Sequence, residues 1–251
     1  MLEMNGKVAI VTGGGGDIGR AAAVTLAKQG AKILVVDLNQ EAIEATLDAI
    51  RAVGGTAEGV RADVANGAEV EAYAKKAVDA FGRIDLFFNN AGIEGPAAPI
   101  PDYPEEAFDQ VMAVNVKGMF LGLKHVLPRM SEGGAVVNTA SVAGLTGSPG
   151  LVGYITSKHA VIGITRTAAL EQTGRNVRVN AICPAPIKGR MMSSIESNVG
   201  ATEEDAFKGI VPLGRYGTPQ EVANLAVMLL SDEASYLTGG YYMVDGGTTA
   251  M

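Results

Sequence analysis

The chain has 251 residues, with 20 Lys+Arg against 27 Asp+Glu for a formal net charge of −7; 47% of it is hydrophobic and 19% charged. Such apolar content excludes a disordered chain, and the acidic balance argues against nucleic acid or an anionic membrane surface as partner. The 33 glycines are about 13% of the chain, nearly twice the usual roughly 7%, which points to close backbone approaches or many tight turns.

Strand-length apolar runs alternate with helical patterns along the chain. KVAIV (7–11) precedes a helix from about Asp17 to Gln29, and KILVVD (32–37) precedes a helix over 41–53. TAEGV (56–60) leads into a helix over 69–81, and IDLFFNN (84–90) into one long helix over 105–130. AVVNTAS (135–141) precedes a helix over 151–171. NVRVNAI (176–182) is followed by a long irregular region, a helix over 219–230 and a last strand over 241–244. The runs are continuous rather than alternating, as in a parallel sheet buried on both faces. Repeated βα units with short loops predict an α/β fold, a Rossmann-type doubly wound parallel sheet. No linker divides the chain, so one domain over 1–251 is expected.

The first chemical signal follows the first strand: Thr12-Gly13-Gly14-Gly15-Gly16-Asp17-Ile18-Gly19-Arg20. A glycine-rich turn between strand and helix lets backbone N–H groups and the helix N-terminus approach a diphosphate. Asp37 ends the second strand, 18 residues past Gly19. A carboxylate there accepts hydrogen bonds from an adenosine ribose diol and repels a 2′-phosphate, and no Lys or Arg stands at 13–16 or 38–40 to neutralise one. Together these features predict dinucleotide binding, with NAD preferred over NADP.

The second signal is Tyr154-Ile155-Thr156-Ser157-Lys158, which puts a Tyr and a Lys on one helix face, with Ser141 thirteen residues earlier at the end of the fifth strand. Taken singly, these are a surface helix pair or a strand-end turn former. The whole ordered set resembles the short-chain dehydrogenase/reductase family over essentially the full chain. It comprises Thr12-Gly13 with Ile18-Gly19, Asp63-Val64, Asn89-Asn90-Ala91-Gly92, Asn115, Ser141, Tyr154-x-x-x-Lys158, Pro184 and Val244-Asp245-Gly246-Gly247.

The resemblance implies an oxidoreductase acting on CH–OH groups, with Asn115, Ser141, Tyr154 and Lys158 as the catalytic group. Tyr154 would be the acid/base, favoured as phenolate by the Lys158 ammonium and opposed by desolvation. Ser141 would hold the substrate oxygen, Lys158 the nicotinamide ribose, and Asn115 a proton-relaying water. The implied cofactor-binding set is Gly13, Gly16, Asp17, Ile18, Gly19, Asp37, Leu38, Asp63, Val64, Asn90, Ala91, Gly92, Tyr154, Lys158, Pro184, Ala185 and Ile187.

Three positions depart from the pattern, one of them Ala185, which stands where a Gly usually follows Pro184. Asp17 replaces a glycine and is expected to cap its helix, with Arg20 to neutralise it. Gly189 replaces a Thr, so a side-chain contact to the nicotinamide amide is not carried over. Segments 93–97, 142–151 and 185–210 would wall the substrate, with Ile93, Ala143, Leu145, Leu151, Met191, Met192, Ile195 and Phe207 apolar, and Glu94 and Arg190 polar. That lining suits a hydrophobic secondary alcohol or ketone, cyclic or aryl rings included. Segment 190–210 reads as a mobile lid.

Cys183, the single cysteine, excludes an intramolecular disulfide framework, and His125 and His159 lie too far apart in sequence to suggest a metal cluster. His159 points away from Lys158's face and reads as a packing or surface residue. The surplus of apolar residues around 151–171 suggests a subunit interface, and the family resemblance implies a homotetramer. No signal peptide or membrane span is legible, so a cytoplasmic protein is expected. The rival readings are an NADPH-dependent 3-oxoacyl-carrier-protein reductase, which Asp37 and the net charge disfavour, a non-catalytic dinucleotide sensor, and a structural subunit.

Overall fold

The computed structural model describes residues 3–201 and 206–250. Seven strands form one parallel sheet: β1 (Val8–Thr12), β2 (Lys32–Asp37), β3 (Thr56–Arg61), β4 (Leu86–Asn89), β5 (Ala135–Thr139), β6 (Arg178–Pro184) and β7 (Tyr241–Val244). Their order is β3-β2-β1-β4-β5-β6-β7. The order reverses between β1 and β4, and the crevice outside the carboxyl ends of those strands is where such sheets take ligands.

Both faces are apolar because both are covered. In β1, Ala9 and Val11 join one cluster with α1 (Asp17–Lys28), α2 (Gln40–Ala52) and a C-terminal helix over Pro219–Leu230. Ile10 joins the opposite cluster with α3 (Gly67–Phe81) and helix residues Leu121, Leu123 and Ala168. The same alternation recurs in β2, where Ile33 and Val35 oppose Leu34 and Val36, and in β4, where Leu86 and Phe88 oppose Phe87.

The helix expected over 105–130 is not continuous. It runs as α4 (Glu105–Met112), a π turn over Ala113–Lys117, and α5 (Gly118–Val126). A 3-10 turn closes it at Leu127–Arg129, where Pro128 has no N–H to donate. The helix over 151–171 is α6 (Val152–Glu171).

The region expected to be irregular after the sixth strand carries a helix, α7 (Arg190–Asn198), and a 3-10 turn at Lys208–Ile210. Residues 202–205 of the expected lid lie outside the described residues. α8 (Pro219–Leu230) opens with a reciprocal cap in which Thr218 and Glu221 satisfy each other's backbone N–H. Among the described residues, no helix is long and apolar enough to cross a membrane.

Candidate active site

A cavity of about 970 Å³ runs along the carboxyl ends of the strands. One end is built by the β1–α1 turn. Gly16 is the N-cap residue of α1 and gives no side-chain cap, so the first-turn N–H groups keep their capacity for an external acceptor. Gly19 permits the turn: a Cβ there would run into the Gly13 carbonyl oxygen. Gly13, Gly16, Asp17, Ile18 and Gly19 all line the cavity.

The Asp37 carboxylate shares this end. It accepts from Gly15 N at 2.9 Å and Asn39 N at 3.0 Å, which fixes its plane at the tip of β2. Leu38, Asp63 and Val64 line the same region. Arg61, which lies opposite Asp37 in the β2–β3 register, donates to Leu38 O at 3.1 Å. Sequence reasoning missed this cation because it stands a strand away.

The midsection is tied together by half-buried amides and buried hydroxyls. Asn90 N and Ala91 N donate to Thr12 Oγ1 at 2.9 and 3.2 Å. Asn90 Nδ2 donates to Thr12 O at 3.1 Å, and Asn90 Oδ1 accepts from Thr139 Oγ1 at 3.0 Å. Asn90, Ala91 and Gly92 line the cavity between its two ends.

At the far end, α6 brings Tyr154 and Lys158 to the cavity together with Ser141 from the tip of β5. The Lys158 Nζ lies 5.5 Å from the centre of the Tyr154 ring and donates to Thr139 O at 2.8 Å. Ser141 Oγ accepts from Ala143 N at 3.2 Å and donates to Pro184 O at 3.3 Å.

Burial pushes the Tyr154 phenol up to about 12. The Ser141 hydroxyl opposes that rise and the Glu94 charge adds to it. The same burial pulls Lys158 down to about 8. The sequence set the Lys158 charge against desolvation at Tyr154, and in the protein chain desolvation wins. Cys183 is fully buried beside this group, its thiol pushed up to about 11 by desolvation.

Asn115 sits in the π turn, buried, and does not line the cavity. Its Nδ2 donates to Ile93 O at 2.8 Å and Ser157 Oγ at 3.0 Å, and its Oδ1 accepts from Ile93 N at 2.8 Å. Both amide hydrogens are used, which leaves one Oδ1 lone pair for a relay water. Gly92 packs between the two side chains: a Cβ there would come 3.2 Å from Asn115 Oδ1 and 3.5 Å from Lys158 Nζ. Ser157, absent from the sequence-based set, donates a hydrogen bond from its hydroxyl to Tyr154 O at 2.7 Å. Its position inside Tyr154-x-x-Ser157-Lys158 was the available signal.

Several expectations need correction. Asp17 does not cap its own helix. It is the first residue of α1, and its Oδ2 accepts from Arg190 N at 2.9 Å. Arg20 does not neutralise it but donates to Gly15 O and Thr46 Oγ1.

On the substrate side, Ile93, Ala143, Leu151, Met191, Met192, Ile195 and Phe207 line the cavity. Leu145 packs instead against the small core around Met119 and Val161. Glu94 does not line the cavity either: it is buried, and its Oε1 accepts from Arg190 Nη1 at 3.2 Å. Pro184, Ala185 and Ile187 line the cavity as expected, Ile187 being held by a parallel bridge to Gly217.

A glycine turn with free first-turn donors, a strand-tip carboxylate and a Ser–Tyr–Lys group in one cavity define a dinucleotide-dependent oxidoreductase fold and site. The family model described as "Enoyl-(Acyl carrier protein) reductase" matches residues 15–249, and the chain belongs to the short-chain dehydrogenase/reductase family.

Levodione reductase of Leifsonia aquatica is 41% identical over 97% of this chain and 94% of its own. A crystal structure of levodione reductase superposes with a TM-score of 0.95 at 40% identity, covering 98% of both chains. Cyclohexanol dehydrogenase of Acinetobacter sp. (strain SE19) is 39% identical over 99% of this chain and 97% of its own. A crystal structure of NAD+-bound xylitol dehydrogenase matches with a TM-score of 0.92 at 38% identity, covering 97% of this chain and 99% of that one.

Proposed function

We propose that this chain is an NAD-dependent oxidoreductase interconverting a hydrophobic secondary alcohol and its ketone, with Tyr154 as general acid/base. The observation that carries the reading is one cavity with Asp37 at one end and Ser141, Tyr154 and Lys158 at the other. The residues present fit the cofactor. The uncapped first turn of α1 suits a diphosphate, and Asp37 suits a ribose diol. Asp63, Val64 and Leu38 would flank the adenine, and Pro184, Ala185 and Ile187 the nicotinamide. When bound, the nicotinamide ring accepts or donates the hydride.

The chain's own residues handle the proton. Ser141 Oγ orients the substrate oxygen, and Tyr154 takes the hydroxyl proton in oxidation or returns it in reduction. Lys158, held by the Thr139 carbonyl, places a cation beside the phenol and favours its ionised form. Asn115, fixed by Ile93 and Ser157, keeps α4 and α6 in register behind them and offers an acceptor for a relay water.

The Met191, Met192, Ile195 and Phe207 side chains supply an apolar wall for the substrate body. Cyclohexanol, in the name of one relative, is a ring alcohol and supports cyclic substrates. The described residues form one domain, with segments 190–201 and 206–210 on the substrate side. Exposed Phe120 and Leu170, with Ile164 between α4, α5 and α6, support association into a homotetramer. A cytoplasmic setting agrees with a single, buried, unpaired cysteine.

The test is a panel of cyclic, aryl and linear secondary alcohols with NAD, followed by NADH absorbance. Turnover on apolar ring alcohols supports the reading. Activity confined to carrier-protein thioesters with NADPH would replace it with the 3-oxoacyl reductase alternative.

A further inference from the structure

Two of the positions where the sequence departs from its family pattern, Asp17 and Gly189, meet in space. Asp17 opens α1 on the cofactor side of the cavity. Its Oδ2 accepts from the backbone N–H of Arg190, the first residue of α7, at 2.9 Å. The residue before Arg190 is Gly189, which has no side chain to cap α7 itself.

Gly189 holds φ +148°, a region that L side chains rarely adopt, and a Cβ there would collide with Asp17 Oδ2. The carboxylate therefore occupies the room a side chain at 189 would need, so the two departures are one arrangement. A second carboxylate reinforces it: Glu94 Oε1 accepts from the Arg190 guanidinium at 3.2 Å. From this anchor α7 presents Met191, Met192 and Ile195 to the cavity.

The geometry points to Asp17 as a positioning residue that caps α7 from another helix. It locks the substrate wall to the turn proposed to cradle the cofactor diphosphate. The charge is tolerated near that turn because the carboxylate sits at two helix N-termini at once, and each favours a negative group. The role assigned to the substrate wall rests on the proposed oxidoreductase reading; the cap itself does not.

The test is amide hydrogen exchange on the unliganded chain. In Asp17→Ala the amides of Arg190 to Ser193 should exchange roughly 2- to 30-fold faster, the range expected for loss of an N-cap. Asp17→Asn, which keeps a carbonyl acceptor, should restore most of the protection. Gly189→Ala should destabilise the native protein more than it destabilises an Asp17→Gly background, where the collision is gone. In turnover assays, Asp17→Ala should raise KM for the alcohol by a larger factor than it lowers kcat.

Unchanged α7 exchange in Asp17→Ala, or an equal Gly189→Ala penalty in both backgrounds, would overturn the cap. A native protein without any alcohol turnover would defeat the oxidoreductase reading instead, and the exchange result would still decide the cap.

Discussion

Tyr154 and Lys158 are driven in opposite directions by the same burial, and this sets the pH behaviour of the site. Oxidation needs Tyr154 as phenolate and reduction needs it as phenol, so the oxidation rate should rise with pH while the reduction rate falls. Rate profiles in both directions test this. Below about pH 8, where Lys158 keeps its charge, Lys158→Met removes the neighbouring cation and should slow alcohol oxidation. Tyr154→Phe should lower turnover by at least about 10²-fold while the fold survives, because only a hydroxyl is lost.

Lys158 also marks stability. Its value falls from 10.5 in the unfolded chain to about 8 when folded. Between those values the unfolded state binds more protons, so this contribution to stability rises with pH across the window and is lacking below it. Urea titrations from pH 7 to 10 should show a rise of up to about 3 kcal/mol that Lys158→Met flattens.

Asp37 governs the other end of the cavity. Asp37→Ala should weaken NAD and improve NADP, since the carboxylate that would repel a 2′-phosphate is gone. Equal catalytic efficiency with both cofactors in the native protein would contradict that role.

At the scale of elements, the π turn over Ala113–Lys117 distinguishes this α4–α5 segment from an ordinary long helix. Wide turns of this kind often sit at functional sites, and here the turn carries Asn115 across to the Ile93 backbone and Ser157. Asn115→Ala would remove the side-chain partner of the Ile93 N–H and C=O and one of the two hydrogen bonds of Ser157 Oγ; a buried group left unpaired costs about 1–3 kcal/mol. A thermal melt should therefore drop by several degrees, and turnover with it.

The apolar periodicity of 105–130 fits an unbroken helix because one extra residue in a turn barely disturbs a long amphipathic pattern. The Tyr154–Lys158 pair and the glycine turn were legible because their spacing is local. Asp17's partner was not, since Arg190 lies 173 residues away and a carboxylate at a helix start reads as that helix's own cap. Glu94 misled for the same reason: its sequence neighbours face the cavity, but its own partner is Arg190.

For the whole molecule, the continuous apolar runs foretold a two-faced parallel sheet, and the clusters on its two sides bear that out. Core size follows: Leu26→Ala, at a fully buried site under α1, should lower unfolding stability by about 2–5 kcal/mol in denaturant titration. The face of α6 that the sheet leaves open was legible only as a surplus of apolar residues over 151–171, and the exposed Phe120 on α5 gave no such signal. If the proposed homotetramer forms and buries Phe120 and Ile164 between copies, replacing both with Asp should shift its light-scattering mass to smaller species. An unchanged mass would place the contact elsewhere.

The strand order has a consequence for how the chain leaves the ribosome. β1, β2 and β3 are neighbours and occupy the first 61 residues, so they can pair while the rest is still being made. After them, β4, β5, β6 and β7 each join the same growing edge in the order of synthesis. No later strand has to wedge between two already placed. The β1 edge stays bare until residues 86–89 emerge, while the outer edge of β3 has no strand partner among the described residues. Synthesis from the N-terminus thus assembles the sheet one strand at a time, and the edge open to wrong pairing is covered as each new strand arrives.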